Sequence, residues 1–515
     1  MPTLTTYEMQ KRTKTIPFTL ILSLLLTATW AQEKTDTPVV DPPREFTSTH
    51  QITINGTDIP YRVVAGEMHL KNSEGHPTGA LWSTAYLRTD VEDTTSRPVT
   101  FIFNGGPGSA SLWLHMGLFG PRLVRVDSEA KVDDGAAPYP MVDNPNCLLD
   151  MTDLVFVDPI GTGYSKIIGE GKPEDFWGLN EDANSLAQFI RLWITKHQRW
   201  NAPKFIAGES YGTTRAAAIA EVLEGNGQNV ALNGLIMISQ AMDYTGSTPR
   251  PDNLIAYITY LPTMAATAWY HQKAGTGKPL EDFLAEARTF AYEEYAPALL
   301  KGYLLSNTER EQIAGQLAYF TGLDTEYILR SNLRILTSRF RKELLREAGL
   351  TVGALDSRYT MSEPDGVAER PTLGDAASNA ITSAYTAALN SYFAKDLGIT
   401  MERPYLTSGG ITKPWNYRTV SSASYWEPSY VNTARRLSNA LRRNGDLRVL
   451  VANGYYDLIT PFFDAEYTLS RHGIDQERIQ MTYYEAGHMM YTHQEDFAQL
   501  STDIRQFLQQ QLGMK

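Results

Sequence analysis

The residues best placed to do chemistry lie in Gly208-Glu209-Ser210-Tyr211-Gly212. This Gly-x-Ser-x-Gly pattern follows a strand-like apolar run at 205–207 and precedes an Ala-rich, helically spaced stretch at 213–223. A serine at such a strand-to-helix turn projects its hydroxyl, and the flanking glycines relieve the crowding that a sharp turn creates. The helix start also aims backbone N–H groups at the same place, where they can receive negative charge. A serine hydroxyl is a weak nucleophile without a base, and the base needs an orienting acid. The pattern therefore calls for an acid and then a histidine downstream, each on a loop after a strand.

Two late stretches meet that requirement. Val449-Leu-Val-Ala-Asn453 runs into Gly454-Tyr455-Tyr456-Asp457, and the strand-like run 479–484 leads into Glu485-Ala486-Gly487-His488. Of the nine histidines, His488 alone follows a late strand through a glycine. His472 lies in a polar connection and reads as a surface residue. His493 lacks the helical H-E-x-x-H spacing to His488 that a zinc site would use and reads as a helix-start residue. Among the acids, Asp446 precedes its strand and so falls at the wrong end of a sheet. Asp464 falls in a helix-like segment, and Glu485 is too close in sequence to face the His488 ring. Asp457 is thus the preferred orienting acid. Upstream, Asn104-Gly105-Gly106-Pro107-Gly108-Ser109 directly follows the run 99–103. Glycine at this density lets backbone amides approach a ligand closely, and a loop in this place is expected to supply a further oxyanion donor.

The elements that must hold these residues are legible as short β-branched runs bounded by Gly, Asn and Pro, at 99–103, 154–157, 205–207, 235–238, 449–451 and 479–483. Runs of this kind fit strands buried on both faces. Helical stretches at 184–196 and 213–223 alternate with them, which argues for an α/β fold with a mostly parallel sheet. A β-rich opening precedes this. Asn55-Gly56 between 51–54 and 59–64 predicts a tight hairpin, in preference to the glycosylation sequon that Asn55-Gly56-Thr57 also spells, and 79–87 reads as a further strand. Between 244 and 440 strands are few, and 280–300, 309–319 and 325–347 have helical spacing. This reads as a helical cap inserted into one sheet, with the core at 47–243 and 441–515.

Composition narrows the rest. The 515 residues carry 46 Lys+Arg against 58 Asp+Glu, a formal net charge of −12. That disfavours nucleic acid as a partner. The single cysteine, Cys147, can form neither an internal disulfide nor a cysteine metal cage and reads as a small apolar core residue. There is no phosphate-binding P-loop, dinucleotide fingerprint or zinc-ligand set, so no cofactor or metal is expected. Lys11, Arg12 and Lys14 precede an apolar stretch at 18–27 that is too short to span a membrane, followed by small residues near 29–31. Residues 1–31 thus read as a signal peptide and 32–46 as a polar linker. The expected location is periplasmic or secreted, with no integral membrane segment in the mature chain.

Five stretches together resemble the serine carboxypeptidase family (peptidase family S10): Asn104 to Ser111, Asp158-Pro-Ile-Gly-Thr-Gly-Tyr-Ser165, Gly208 to Gly212, Asn453 to Asp457 and Ala486-Gly-His-Met-Met-Tyr491. The resemblance covers 50–243 and 445–510 and implies an α/β-hydrolase fold that removes C-terminal residues from peptides through an acyl-enzyme. It implies Ser210 as nucleophile, His488 as base and then acid, and Asp457 as orienting acid. The backbone N–H groups of Gly106 and Tyr211 would form the oxyanion hole. The substrate carboxylate would be held by Asn104, the N–H of Gly105 and Glu209. A carboxylate can bind another only through a shared proton, so Glu209 should have a raised pKa. Family members often carry a cysteine at the position of Ser109, and a second glutamate that would fall near Met116 to Leu118. This chain has neither, and its freedom from disulfides marks it as a bacterial-type member. Other activities compatible with the same residues are those of an esterase or acyltransferase, or of a proline-releasing aminopeptidase, whose loop also contains Gly-Gly-Pro-Gly.

Overall fold

Strands β1 (Glu45–Ile54) and β2 (Thr57–Lys71) meet at Asn55-Gly56, whose φ angles of 50° and 77° are those a primed hairpin turn demands. The computed structural model describes residues 40–126, 135–225, 227–418 and 430–513. The leader expected at 1–31 and most of the expected linker lie outside the described residues. Val39–Lys515 forms one compact unit.

After β3 (Pro77–Arg88), the six apolar runs become β4 (Val99–Phe103), β5 (Asp153–Asp158), β6 (Lys204–Glu209), β7 (Gly234–Ile238), β8 (Arg448–Gly454) and β9 (Ile479–Tyr484). Their order across the sheet is β1-β2-β3-β5-β4-β6-β7-β8-β9. The pairings β1–β2, β2–β3 and β3–β5 are antiparallel, and every pairing from β5 to β9 is parallel. Residues alternate between the two faces as a strand's period of two requires. Phe205, Ala207, Ile236, Ile238, Leu450 and Ala452 enter one core layer. Ile206, Leu235, Met237, Val449 and Val451 enter the other.

Helices cover both faces. One layer takes α1 (Leu179–Lys196), α2 (Tyr211–Glu224) and α5 (Ala434–Arg443), and the opposite layer takes α4 (Ala376–Lys395) and α6 (Gln494–Leu512). This is the α/β-hydrolase fold. Between β7 and β8 the chain forms α3 (Leu254–Tyr270) and further helices with a core of their own, including Phe283, Leu317, Phe320 and Phe340. That core joins the sheet domain through Tyr455, Tyr456, Leu458 and Phe462, the neighbours of Asp457. No helix of the described residues is long and apolar enough to cross a membrane.

Two local readings change. The stretch 325–347 is not one helix but short pieces at Thr325–Arg330 and Thr337–Glu343, because Asn332 and Leu333 adopt φ of 54° and 62°. Helix α4 was not evident from spacing, since half of its buried face is alanine. Cys147 is fully buried, and burial pushes its thiol up to about 12, which removes it as a nucleophile.

Candidate active site

The carboxyl ends of β4, β6, β8 and β9 deliver the four key loops to one place. Strand β6 ends at Glu209, and Ser210 then sits at φ 59°, ψ −127° before α2 begins at Tyr211. Such a backbone is strained for a non-glycine residue and is held by its surroundings. The Ser210 N–H donates to Ile238 O at 3.0 Å. Both glycines of the motif are required by close approach: a Cβ on Gly208 would stand 2.2 Å from Gly212 O, and one on Gly212 would stand 2.7 Å from Phe103 O. Tyr211 opens the helix, so its N–H has no acceptor one turn back.

The glycine-rich loop lies against this turn. A Cβ on Gly105 would meet Tyr211 N at 2.6 Å and Ser210 Cβ at 2.8 Å, so only glycine lets the two backbones touch. Gly106 has φ 105° and is exposed, while Asn104 and Gly105 are buried. Asp158 holds the loop from below. Its carboxylate accepts from Ser111 N at 2.9 Å and Tyr405 OH at 3.0 Å, and burial raises it to about 7. Gly163 is needed beside it, since a Cβ there would stand 1.9 Å from Asp158 Oδ2.

Asp457 and His488 meet across the ends of β8 and β9. His488 Nδ1 lies 2.7 Å from Asp457 Oδ2, and both residues are buried. A carboxylate only accepts, so Nδ1 donates and Nε2 is left free to accept. Asp457 also receives Ile459 N at 2.8 Å, Thr460 N at 3.0 Å and Thr460 Oγ1 at 2.7 Å. Burial works to lower the pKa of His488, but Asp457, aided by Glu209 and Asp375, outweighs it, and the net shift is upward. A Cβ on Gly454 would stand 2.2 Å from Gly487 O, which explains the glycine that ends β8 ahead of the acid.

Glu209 is buried beside the serine. Its Oε1 accepts from Asn104 Nδ2 at 2.9 Å and its Oε2 from Tyr491 OH at 2.6 Å. Asn104 is fixed in turn by Leu114 N, which donates to its Oδ1 at 3.0 Å. Burial pushes the Glu209 carboxyl up to about 7, against His488, Tyr491 and Asn104, which hold it down. A second glutamate would fall near Gly117, where a Cβ would meet the Tyr491 ring at 2.5 Å. The tyrosine occupies that side.

Asn104, Gly105, Gly106, Glu209, Ser210 and His488 line one cavity of about 280 Å³. Tyr211 and Asp457 lie directly behind it, bonded in chain to Ser210 and in space to His488. Trp113, Leu355 and Met489, with Ser378, Ile381 and Thr382 of α4, join Ser109 and Ile459 in the rest of the lining. Apart from Ser109, none of these was singled out from the sequence, and nor were Thr460 and Tyr491. His493 precedes α6 with its ring 2.5 Å from Asp496, as a helix-start residue should. His472 differs from expectation: it is half-buried, 3.5 Å from Asp243. Among the described residues, Glu74, His76 and Glu170 lie close enough to share a cation, but none lines this cavity.

The description that matches this sequence is "Serine carboxypeptidase", over residues 83–278. That stretch contains the elbow, the Asp158 turn and the glycine-rich loop. The similarity to the serine carboxypeptidase family is carried by residues 83–278. Two Arabidopsis thaliana proteins of this family name are similar. Serine carboxypeptidase-like 7 is 28% identical over 134 residues, 25% of this chain and 29% of the relative. Serine carboxypeptidase-like 16 is 24% identical over 166 residues, 31% of this chain and 36% of the relative. The matches thus span about a third of the curated relatives. The fold is similar to that of Kex1(delta)p, a prohormone-processing carboxypeptidase from Saccharomyces cerevisiae, with a TM-score of 0.54 at 14% identity over 88% of this chain and 91% of that one.

Proposed function

We propose that this chain is a serine-type carboxypeptidase that releases C-terminal residues from peptides through an acyl-enzyme. The observation that carries the reading is the shared cavity, in which Ser210 and His488 stand beside a buried carboxyl group, Glu209, of raised pKa. Ser210 Oγ attacks the last peptide carbonyl while His488 Nε2 takes its proton. Asp457 holds the imidazole and the charge it gains. The N–H groups of Gly106 and Tyr211 receive the oxyanion. His488 then returns the proton to the leaving amine, and water repeats the sequence to free the acyl group. Glu209, protonated, donates to the free carboxylate of the substrate, with Asn104 and the N–H of Gly105 beside it. The helices between 254 and 345, the part of the 244–440 insertion with a core of its own, serve as a cap over the cleft, and residues 1–31 direct export.

One pair of peptides tests this. An N-blocked peptide should lose single residues from its free C-terminus, and a C-amidated one should resist. Release only from a free amino end would overturn the proposal.

The pH dependence follows from two groups. His488 must be neutral to act as base, so activity on any substrate falls as pH drops through its raised pKa. Glu209 must be protonated to hold a carboxylate, so activity on free-acid peptides also falls as pH rises through about 7. Free-acid peptides should therefore give a bell-shaped kcat/KM profile, and ester substrates without a free carboxylate only its acid limb. Tyr491→Phe removes a hydrogen bond that lowers the Glu209 pKa, so it should move the alkaline limb upward. The same alkaline limb on such esters would show that Glu209 only shapes the elbow.

A further inference from the structure

Five consecutive residues of the helical insertion, Ala354-Leu355-Asp356-Ser357-Arg358, reach both loops that carry the acid and the base. Leu458 N donates to Ala354 O at 2.9 Å, and Ser357 N donates to Tyr456 O at 3.0 Å, gripping Asp457 from either side in sequence. His488 N donates to Leu355 O at 2.6 Å. Arg358 Nη1 donates to Glu485 O at 2.9 Å. The approach is close enough to dictate sequence in the partner loop: a Cβ on Gly487 would stand 2.4 Å from both Asp356 Cβ and Leu355 O.

The segment is itself stiffly held. Arg358 forms a fork on Asp356, with Nη2 to Oδ2 at 2.6 Å and Nε to Oδ1 at 3.0 Å, and both side chains are about 5% exposed. The Arg358 guanidinium lies over the Tyr456 ring at 5.6 Å. Ser357 ties the segment to α3, with Oγ 2.6 Å from Thr267 Oγ1 and its carbonyl 2.8 Å from His271 Nε2. A bidentate arginine fork fixes direction as well as distance. Here it fixes the carbonyl of Leu355 that receives the His488 amide.

We infer that residues 354–358 are a positioning brace for the Asp457–His488 pair, with Arg358 as its pin. The inference rests on the triad reading above. Arg358 touches no reacting atom. It acts by holding Glu485 O directly and Leu355 O through the fork on Asp356, and through them the backbone that aims the imidazole.

The test uses a fluorophosphonate probe, which needs the triad but no substrate carboxylate. Ser210 Oγ bonds to phosphorus, fluoride leaves, and His488 takes the hydroxyl proton. The variant Asp356→Asn/Arg358→Met removes both charges together, so none is stranded in the interior. A folded variant, checked by circular dichroism and cooperative melting, should label about 10²-fold more slowly, as for a misplacement of order 1 Å. Its acid limb should also move to lower pH. The groups bearing on His488 are Asp457, Glu209 and Asp375, and weakening the first lets burial pull the imidazole down. Should the double variant fail to fold, Arg358→Lys keeps the charge against Asp356 but loses the N–H that reaches Glu485 O. It should slow labelling about tenfold with the same acidward shift. Slower labelling with the limb at its original pH, or unchanged labelling, would overturn the inference. A wild-type chain that labels at Ser210 but spares free-acid peptides would sink the carboxypeptidase reading and leave the brace standing. One that never labels would sink both.

Discussion

Ser210→Ala lowers peptide turnover by about 10⁶-fold, as removal of the nucleophile does in a comparable serine hydrolase. The substitution isolates chemistry from folding. Alanine keeps the Cβ, so it experiences the same backbone strain at φ 59° as the serine does. The hydroxyl serves as no helix cap, and Ser210 N still donates to Ile238 O. The melting temperature should therefore stay within a few degrees of wild type. Binding of free-acid peptides should survive too, because Asn104 and Glu209 are untouched. Residual turnover, from the remaining backbone donors and substrate positioning, should still exceed the uncatalysed rate by roughly 10³–10⁴-fold. Near-normal turnover in a folded variant would remove Ser210 from the mechanism and redirect attention to another group in the cavity.

The strands that position this serine were readable because each is a short run of β-branched and aromatic residues that ends where Gly, Asn or Pro begins. Residues buried on both faces leave no polar alternation to confuse the pattern. The hairpin at Asn55-Gly56 was readable for a different reason, since few residue pairs tolerate two positive φ angles. What was not readable depended on contacts distant in sequence. Tyr491 stands in a stretch that drew attention for His488, yet its partner Glu209 is 282 residues away. Helix α4 sends Ser378, Ile381 and Thr382 into the cavity from a run of Ala, Ser and Thr with little hydrophobic contrast. The brace at 354–358 has no periodicity at all, and its role exists only through carbonyls that meet other loops. Glycines bridge the two cases. Gly454 and Gly487 are visible in sequence as loop residues, but close packing explains them: the first against the His488 loop, the second against Asp356.

Asp457→Asn is the most informative substitution at the acid, and it should lower kcat by about 10⁴-fold while the fold persists. The Asp457 carboxylate accepts four donors: the amides of Ile459 and Thr460 on Oδ1, and the Thr460 hydroxyl and His488 Nδ1 on Oδ2. An asparagine has one oxygen and one NH₂ to offer. If its oxygen stays with the two amides, which have no other geometry available, its NH₂ faces His488. Nδ1 must then accept, the ring proton moves to Nε2, and the nitrogen that should take the Ser210 proton is already occupied. The loss thus comes from the wrong tautomer and not from a displaced ring. Two measurements separate these causes. First, the acid limb should move to lower pH, because burial is now opposed only by Glu209 and Asp375 at an imidazole that Asp457 had held up. Second, KM for free-acid peptides should change little, since Glu209 and Asn104 keep their partners. A turnover within tenfold of wild type would shift the orienting role to a different acid. A large rise in KM with kcat preserved would mean that Asp457 supports the cleft rather than the base.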